Sequence, residues 1–195
     1  MKLPLLYLAS QSARRRDLLK QMRVRFRVVP SHYRERMWRS MAPEILVMRH
    51  AAGKARKAVL PDAARLVLGA DTLVYYRRPF GKPKSWKQAV AMIQALSGTT
   101  HTVYTGVTLR DPKRGWSLTR YAKTRVTFKK MKLPEIEHYL RQINPFDKAG
   151  AYAIQGGPRI VRSYQGSYSN VIGLPRELLR TMLREWREAC HSRGF

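Results

Sequence analysis

The chain has 195 residues, 44% of them hydrophobic and 10% aromatic, enough for one full core and too apolar for a disordered tail. Its 39 Lys and Arg against 12 Asp and Glu leave a net charge of +27, which points to a negative partner: nucleotide phosphate, nucleic acid or an anionic surface. The one cysteine, Cys190, excludes an intrachain disulfide and a thiolate-built zinc site, and no apolar run approaches the ~20 residues of a membrane span.

From the first residue onward, Leu3–Leu8 is apolar but broken by Pro4, and it runs into Gln11 and a cluster of arginines. A secretory signal has its basic residues first, so a cytoplasmic protein is expected. Leu5–Ala9 reads as a short buried strand, and Ser12 is placed to cap a helix over Ala13–Gln21 with Leu18 and Leu19 facing in. Phe26–Val29 is a second strand, closed by Pro30. Pro43–Val59 has helical spacing with proline in its first turn. Leu66–Ala70 is the most strand-like run and is expected to end at Asp71. Trp86–Leu96 is a helix with Gly98 as its stop signal.

The period then changes. His101–Leu109 and Ser117–Phe128 are rich in Val, Thr and Tyr and are joined by Asp111-Pro112-Lys113-Arg114-Gly115, a long-hairpin connection. A short helix near Pro134–Gln142 precedes a glycine-rich segment from Gly150 to Gly173. Pro175–Cys190 closes as an amphipathic helix, with Leu178, Leu179, Met182, Leu183, Trp186 and Ala189 on one face. The order predicts a single α/β domain over 1–195 with a mixed sheet.

Several segments carry chemistry beside a bland alternative. Ser10-Gln11-Ser12-Ala13-Arg14-Arg15 sits at a strand-to-helix junction, where hydroxyls, backbone N–H groups and guanidiniums suit an anion. A solvated basic first turn is the alternative, but Arg14, Arg15 and Arg16 lie where the helix dipole disfavours positive charge unless an anion is near. In Gly69-Ala70-Asp71-Thr72 the carboxylate is either a site residue beyond a strand or a turn former. Lys82, in Gly81-Lys82-Pro83, presents an ammonium on a rigid turn or is simply solvated. Glu35, among Arg34, Arg36 and Arg39, is a hard oxygen ligand for magnesium or pairs with its neighbours for about 0–1 kcal/mol. Lys54 lies mid-helix among alanines, where a solvent-facing position is usual. Asp147-Lys148-Ala149-Gly150-Ala151-Tyr152-Ala153-Ile154-Gln155-Gly156 combines a carboxylate, close-approach glycines and an amide able to read a nucleobase edge or to serve the core. There is no Walker loop, no dinucleotide-binding glycine fingerprint and no nucleophile elbow. The five histidines (His32, His50, His101, His138, His191) lack zinc-ligand spacing, and His101 and His138 read as packing or hydrogen-bonding residues.

Together with Leu96-Ser97-Gly98, His101–Gly106 and Gly166–Pro175, these segments resemble the Maf family of nucleoside triphosphate pyrophosphatases (septum formation inhibitor Maf-like proteins) from about Leu6 to Leu179. The resemblance implies a mixed twisted sheet with flanking helices, two lobes and a central cleft. It also implies metal-dependent hydrolysis of a nucleoside triphosphate to the monophosphate and pyrophosphate. By motif, Asp71 matches the proton acceptor, and Arg14, Thr72 and Gln155 match positions associated with substrate choice. Ser10, Arg15, Glu35, Lys54 and Lys82 match other polar cleft positions, with Ser12 beside them. Gly-Ala-Asp-Thr is similar to the branch acting on dTTP and UTP rather than the 7-methyl-GTP branch. The implied metal is magnesium, with manganese or cobalt as alternatives, held by Glu35 and Asp71; homodimers are implied as well. The chain is more basic than the family, and Arg34 stands where the family often has an acid.

On that reading Arg14, Arg15, Lys54 and Lys82 clamp a triphosphate, each contact worth roughly 4 kcal/mol before desolvation at ~4 Å and an effective dielectric of ~20. A second reading is a nucleic-acid-binding module on the same scaffold. Tyr75, Tyr76, Trp86 and Trp116 would stack on bases, and the charge predicts nonspecific binding at low salt. The basic residues are spread along the chain, and no reader motif is present.

Overall fold

In the computed structural model, which describes residues 3–36, 40–155 and 159–192, apolar and β-branched runs build one mixed sheet. Arg39 and Gly156 lie outside the described residues. The elements are β1 (Leu6–Leu8), α1 (Ala13–Gln21), β2 (Phe26–Val28), α2 (Pro43–Arg56), β3 (Leu66–Tyr76), β4 (Arg78–Phe80) and α3 (Trp86–Leu96). There follow β5 (Thr100–Asp111), β6 (Trp116–Phe128), α4 (Leu133–Arg141), β7 (Val161–Gln165), α5 (Tyr168–Ile172) and α6 (Arg176–Ser192). The strand order is β2-β1-β3-β5-β6-β7, with β4 paired to β3. β1 pairs in parallel with β2 and β3, and the remaining ladders are antiparallel. Among the described residues no helix is long and apolar enough to cross a membrane.

One strand boundary needs correction. Asp71 does not end its strand: β3 runs on to Tyr76, and Asp71 lies opposite Gly106 of β5. The Val-, Thr- and Tyr-rich β5 pairs with β3 from Val67 to Tyr75, and this long-range ladder outweighs the turn preference of aspartate. The glycine-rich 150–173 segment holds β7 and α5, for which the sequence pattern gives no signal. β7 is a polar edge strand without apolar alternation, and α5 is only five residues long, capped by Ser167 Oγ accepting from the Asn170 N–H at 3.2 Å. Ser12 does occupy the N-cap of α1, but its side chain makes no capping bond. The long hairpin is confirmed, with Asp111 Oδ1 accepting from the N–H groups of Lys113 and Arg114 and Gly115 at φ +66° completing the turn.

Strand alternation divides the layers. One face of β3, β5 and β6 carries two apolar clusters at its two ends. Leu68, Ala70, Val107 and Leu109 pack with α1 and α6, through Leu18, Leu19, Leu179 and Trp186. Val74, Val103, Val126 and Phe128 pack with α3 and α4, through Ile93, Ile136 and Tyr139. Between them runs a polar seam. Thr72 Oγ1 and Thr105 Oγ1 are 3.0 Å apart, Thr105 donates to the Asn170 carbonyl at 3.0 Å, and the Asn170 amide donates to Val103 O and Thr124 Oγ1. α2 covers the other face directly over Gly69 and Gly106. A side chain at either glycine would collide with the backbone carbonyl of Ala51 or Val47.

His101 is a packing residue, as its sequence context suggested. Its Nε2 pairs with the Tyr152 hydroxyl at 2.8 Å, and the ring meets Phe128 edge-on. Burial lowers its pKa from 6.5 to about 4. The unfolded chain therefore takes up a proton at His101 between those values while the folded chain does not, so stability falls as pH drops through that window, by up to about 3 kcal/mol. The urea midpoint is expected to fall between pH 7 and pH 4.5, with a shallower slope in His101→Gln; equal slopes would exclude the assignment.

Candidate active site

β1 stops at Leu8, paired with Leu68, and β4 joins the same side of β3 only from Val74. Residues 69–73 therefore have β5 on one flank and no strand on the other. A cleft of about 810 Å³ opens there, lined from both ends of the sheet. All of the candidate residues reach it: Ser10, Ser12, Arg14, Arg15, Glu35, Lys54, Asp71, Thr72, Lys82 and Gln155.

Lys54 is the first surprise. Its side chain is turned inward rather than to solvent, because α2 lies against Gly69 closely enough to bring that helix face to β3. Its Nζ lies 2.6 Å from Asp71 Oδ1, 2.7 Å from Glu35 Oε1 and 3.4 Å from the Ala70 carbonyl. Two carboxylates thus converge on one cation. Burial opposes ionisation of Glu35, but the charge and hydrogen bond of Lys54 outweigh it and hold its pKa below the usual glutamate value. Glu35 therefore pairs with Lys54 across the cleft. Asp71 is only 7% exposed yet lines the cavity.

Arg15 works on the opposite face of β3. Its Nε donates to the Gly173 carbonyl at 2.8 Å, one terminal nitrogen to Ser10 Oγ at 2.9 Å and the other to Thr72 Oγ1 at 3.0 Å. Burial lowers its pKa, partly offset by Asp71 and Glu35, and it stays cationic at neutral pH. Three partners fix this guanidinium at the head of α1. Ser12 donates its N–H to Ser10 Oγ at 3.3 Å. Arg14, adjacent to Arg15, reaches across to Asp147 at 2.7 Å. Lys82 and Gln155 are exposed at the rim.

Tyr33 and His50, to which no sequence motif assigns a site role, line the cleft, as do Asp147 and Lys148 of the motif that ends in Gln155 and Gly156. The Tyr33 hydroxyl lies 2.9 Å from His50 Nδ1, and burial lowers the His50 pKa against the raising influence of Asp71 and Glu35. Lys148 follows a flagged carboxylate, but among 39 basic residues nothing local distinguishes it. The aromatics considered for base stacking do not form one platform, since Tyr76 packs against one core cluster and Trp116 against the other.

The donor set fits a hard divalent cation. Magnesium is commonly held by one or two carboxylates and completed by water and substrate phosphates, and Glu35 and Asp71 already converge on a single positive charge. A group of three or more His, Cys, Asp and Glu, as an all-protein cage requires, is absent among the described residues.

Comparison with known proteins gives a consistent result. A family model described as Maf-like protein matches residues 5–186. A relative from Gloeobacter violaceus, named dTTP/UTP pyrophosphatase, is 45% identical over 93% of this chain and 95% of its own length. A relative of the same name from Moorella thermoacetica is 45% identical over 87% of this chain and 89% of its own. Another, from Citrifermentans bemidjiense, is 44% identical over 90% and 92%.

Proposed function

The chain belongs to the Maf-like protein family, and we propose that it cleaves dTTP and UTP to the nucleoside monophosphate and pyrophosphate. The observation that carries this reading is the convergence of Asp71, Lys54 and Glu35 with Arg15, Ser10 and Thr72 in one cleft, acids and cations facing the same space. A triphosphate brings about four negative charges, and attack at its α-phosphorus requires them to be neutralised.

Each residue has a part. Arg15 and the hydroxyls of Ser10 and Ser12 receive phosphate oxygens at the helix start, where backbone N–H groups also point. Lys82 at the rim and Lys54 inside add ammonium charge. Asp71 takes the proton of the attacking water, its carboxylate held in place by the 2.6 Å bond from Lys54. Thr72 and Gln155 meet the pyrimidine carbonyl and imino groups, and Arg14 contributes to the choice of substrate. When bound, magnesium (or manganese or cobalt) would be held by Glu35 and Asp71, offsetting phosphate charge and acidifying water. Glu35→Gln is expected to raise the magnesium concentration giving half-maximal rate about tenfold; an unchanged requirement would remove Glu35 from that role. A cytoplasmic location and, on resemblance alone, a homodimer complete the reading.

The test is a nucleotide panel with magnesium, assayed for pyrophosphate. Release from dTTP and UTP supports the hydrolase. Silence across the panel, with salt-sensitive binding of DNA or RNA, would favour the nucleic-acid module instead.

A further inference from the structure

Arg14 and Asp147 meet across the mouth of the cleft. Arg14 rises from α1, whose Leu18 and Leu19 belong to one apolar cluster. Asp147 ends the short 3-10 turn Pro145–Asp147, and the residues after it, Ala151 and Tyr152, belong to the other cluster. One guanidinium nitrogen donates to Asp147 Oδ2 at 2.7 Å and another to its carbonyl at 2.9 Å. The second carboxylate oxygen accepts from Lys148 Nζ at 2.6 Å, and the same ammonium donates to the Asn144 carbonyl at 2.6 Å. The carboxylate thus offers one oxygen to a guanidinium and the other to an ammonium, the arrangement a phosphate group would satisfy.

Burial separates holder from held. The Lys148 side chain is 13% exposed and that of Arg14 26%, whereas the Asp147 side chain is 50% exposed. The two cations are set into the wall, and the acid lies over them from the solvent side. Burial pushes the Asp147 pKa up, but hydrogen bonds from Lys148 and Arg14 push it further down, so the carboxylate is charged at neutral pH.

We propose that Arg14 and Lys148 form a phosphate subsite which the Asp147 carboxylate fills until a polyphosphate displaces it. The ligand class is a diphosphate: the terminal pair of a nucleoside triphosphate, or free pyrophosphate. The first of these rests on the nucleotide reading above; the second does not. A half-exposed carboxylate pair is weakly held, whereas a diphosphate brings several charges and paired hydrogen bonds to the guanidinium. Displacement also unties the two ends of the cleft, so ligand entry and opening are one event.

The experiment titrates sodium pyrophosphate by calorimetry into the full chain without divalent metal, comparing wild type with Asp147→Asn and Lys148→Met. Asp147→Asn is expected to bind about three- to tenfold more tightly and Lys148→Met about tenfold more weakly. In UTP hydrolysis Asp147→Asn lowers KM by a similar factor. Unchanged or weaker pyrophosphate binding by Asp147→Asn would overturn the proposal and make the carboxylate a support for Arg14. Unchanged affinity in Lys148→Met would overturn it too. If that variant does not fold, the Asp147→Asn arm decides alone, because the amide keeps the volume of the acid. Pyrophosphate binding that behaves as expected without UTP or dTTP hydrolysis would remove the nucleotide reading and leave the subsite. Hydrolysis with unaltered pyrophosphate affinities would do the reverse.

Discussion

Asp71→Asn is expected to lower kcat for UTP by about a hundred- to ten-thousandfold, with the thermal midpoint within a few degrees of wild type. The amide preserves the shape of a side chain that is only 11% exposed, and its oxygen still accepts from Lys54, whose second partner Glu35 is untouched. What it loses is the ability to take a proton. Asp71→Ala removes the acceptor as well and is expected to be equally inactive. Pyrophosphate release under saturating UTP, beside a thermal melt of each variant, separates chemistry from folding. Near wild-type turnover by Asp71→Asn would move the proton acceptor elsewhere in the cleft.

The second large effect lies in a residue with no side chain. Gly69→Ala is expected to cost about 2–4 kcal/mol, a fall in thermal midpoint of roughly 5–15 °C, and to reduce turnover about a hundredfold. The new methyl would meet the Ala51 carbonyl and the Ala55 backbone nitrogen of α2, neither of which rotates out of the way. The helix must therefore lift from the sheet. Lys54 lies between those two contacts in sequence and reaches Asp71 at 2.6 Å, so a shift of about 1 Å at the helix disturbs the carboxylate it holds. A variant with an unaltered midpoint and full activity would show that α2 can adjust at no cost.

Much of the architecture was readable from local pattern. The helix starting at Pro43, the Trp86–Leu96 helix and the hairpin around Gly115 announce themselves through periodicity and turn chemistry, and each is found within a few residues of its expected bounds. The elements missed are those whose stability is borrowed. β4 is three residues long, β7 is a polar edge and α5 spans five residues; each exists because a neighbour supplies its bonds or its cap. Lys54 misleads for a related reason: in an alanine-rich helix a lysine looks solvent-facing until the partner of that helix face is known. Arg14 and Arg15 were legible, since three arginines at a positively polarised helix start need an answering acceptor. The sequence did not say that Asp147 would be one of them, 133 residues away.

By itself the sequence determined a basic α/β chain, its apolar faces, a phosphate-suited helix start, and an acid followed by a hydroxyl directly after an apolar run. Only the tertiary structure decided that Asp71 and Thr72 serve one cavity. Adjacent residues of a strand point to opposite faces, and here one meets Lys54 while the other meets Arg15. They share a cleft because β1 ends at Leu8, leaving the flank of β3 bare from residue 69 to 73 and open to both faces at once.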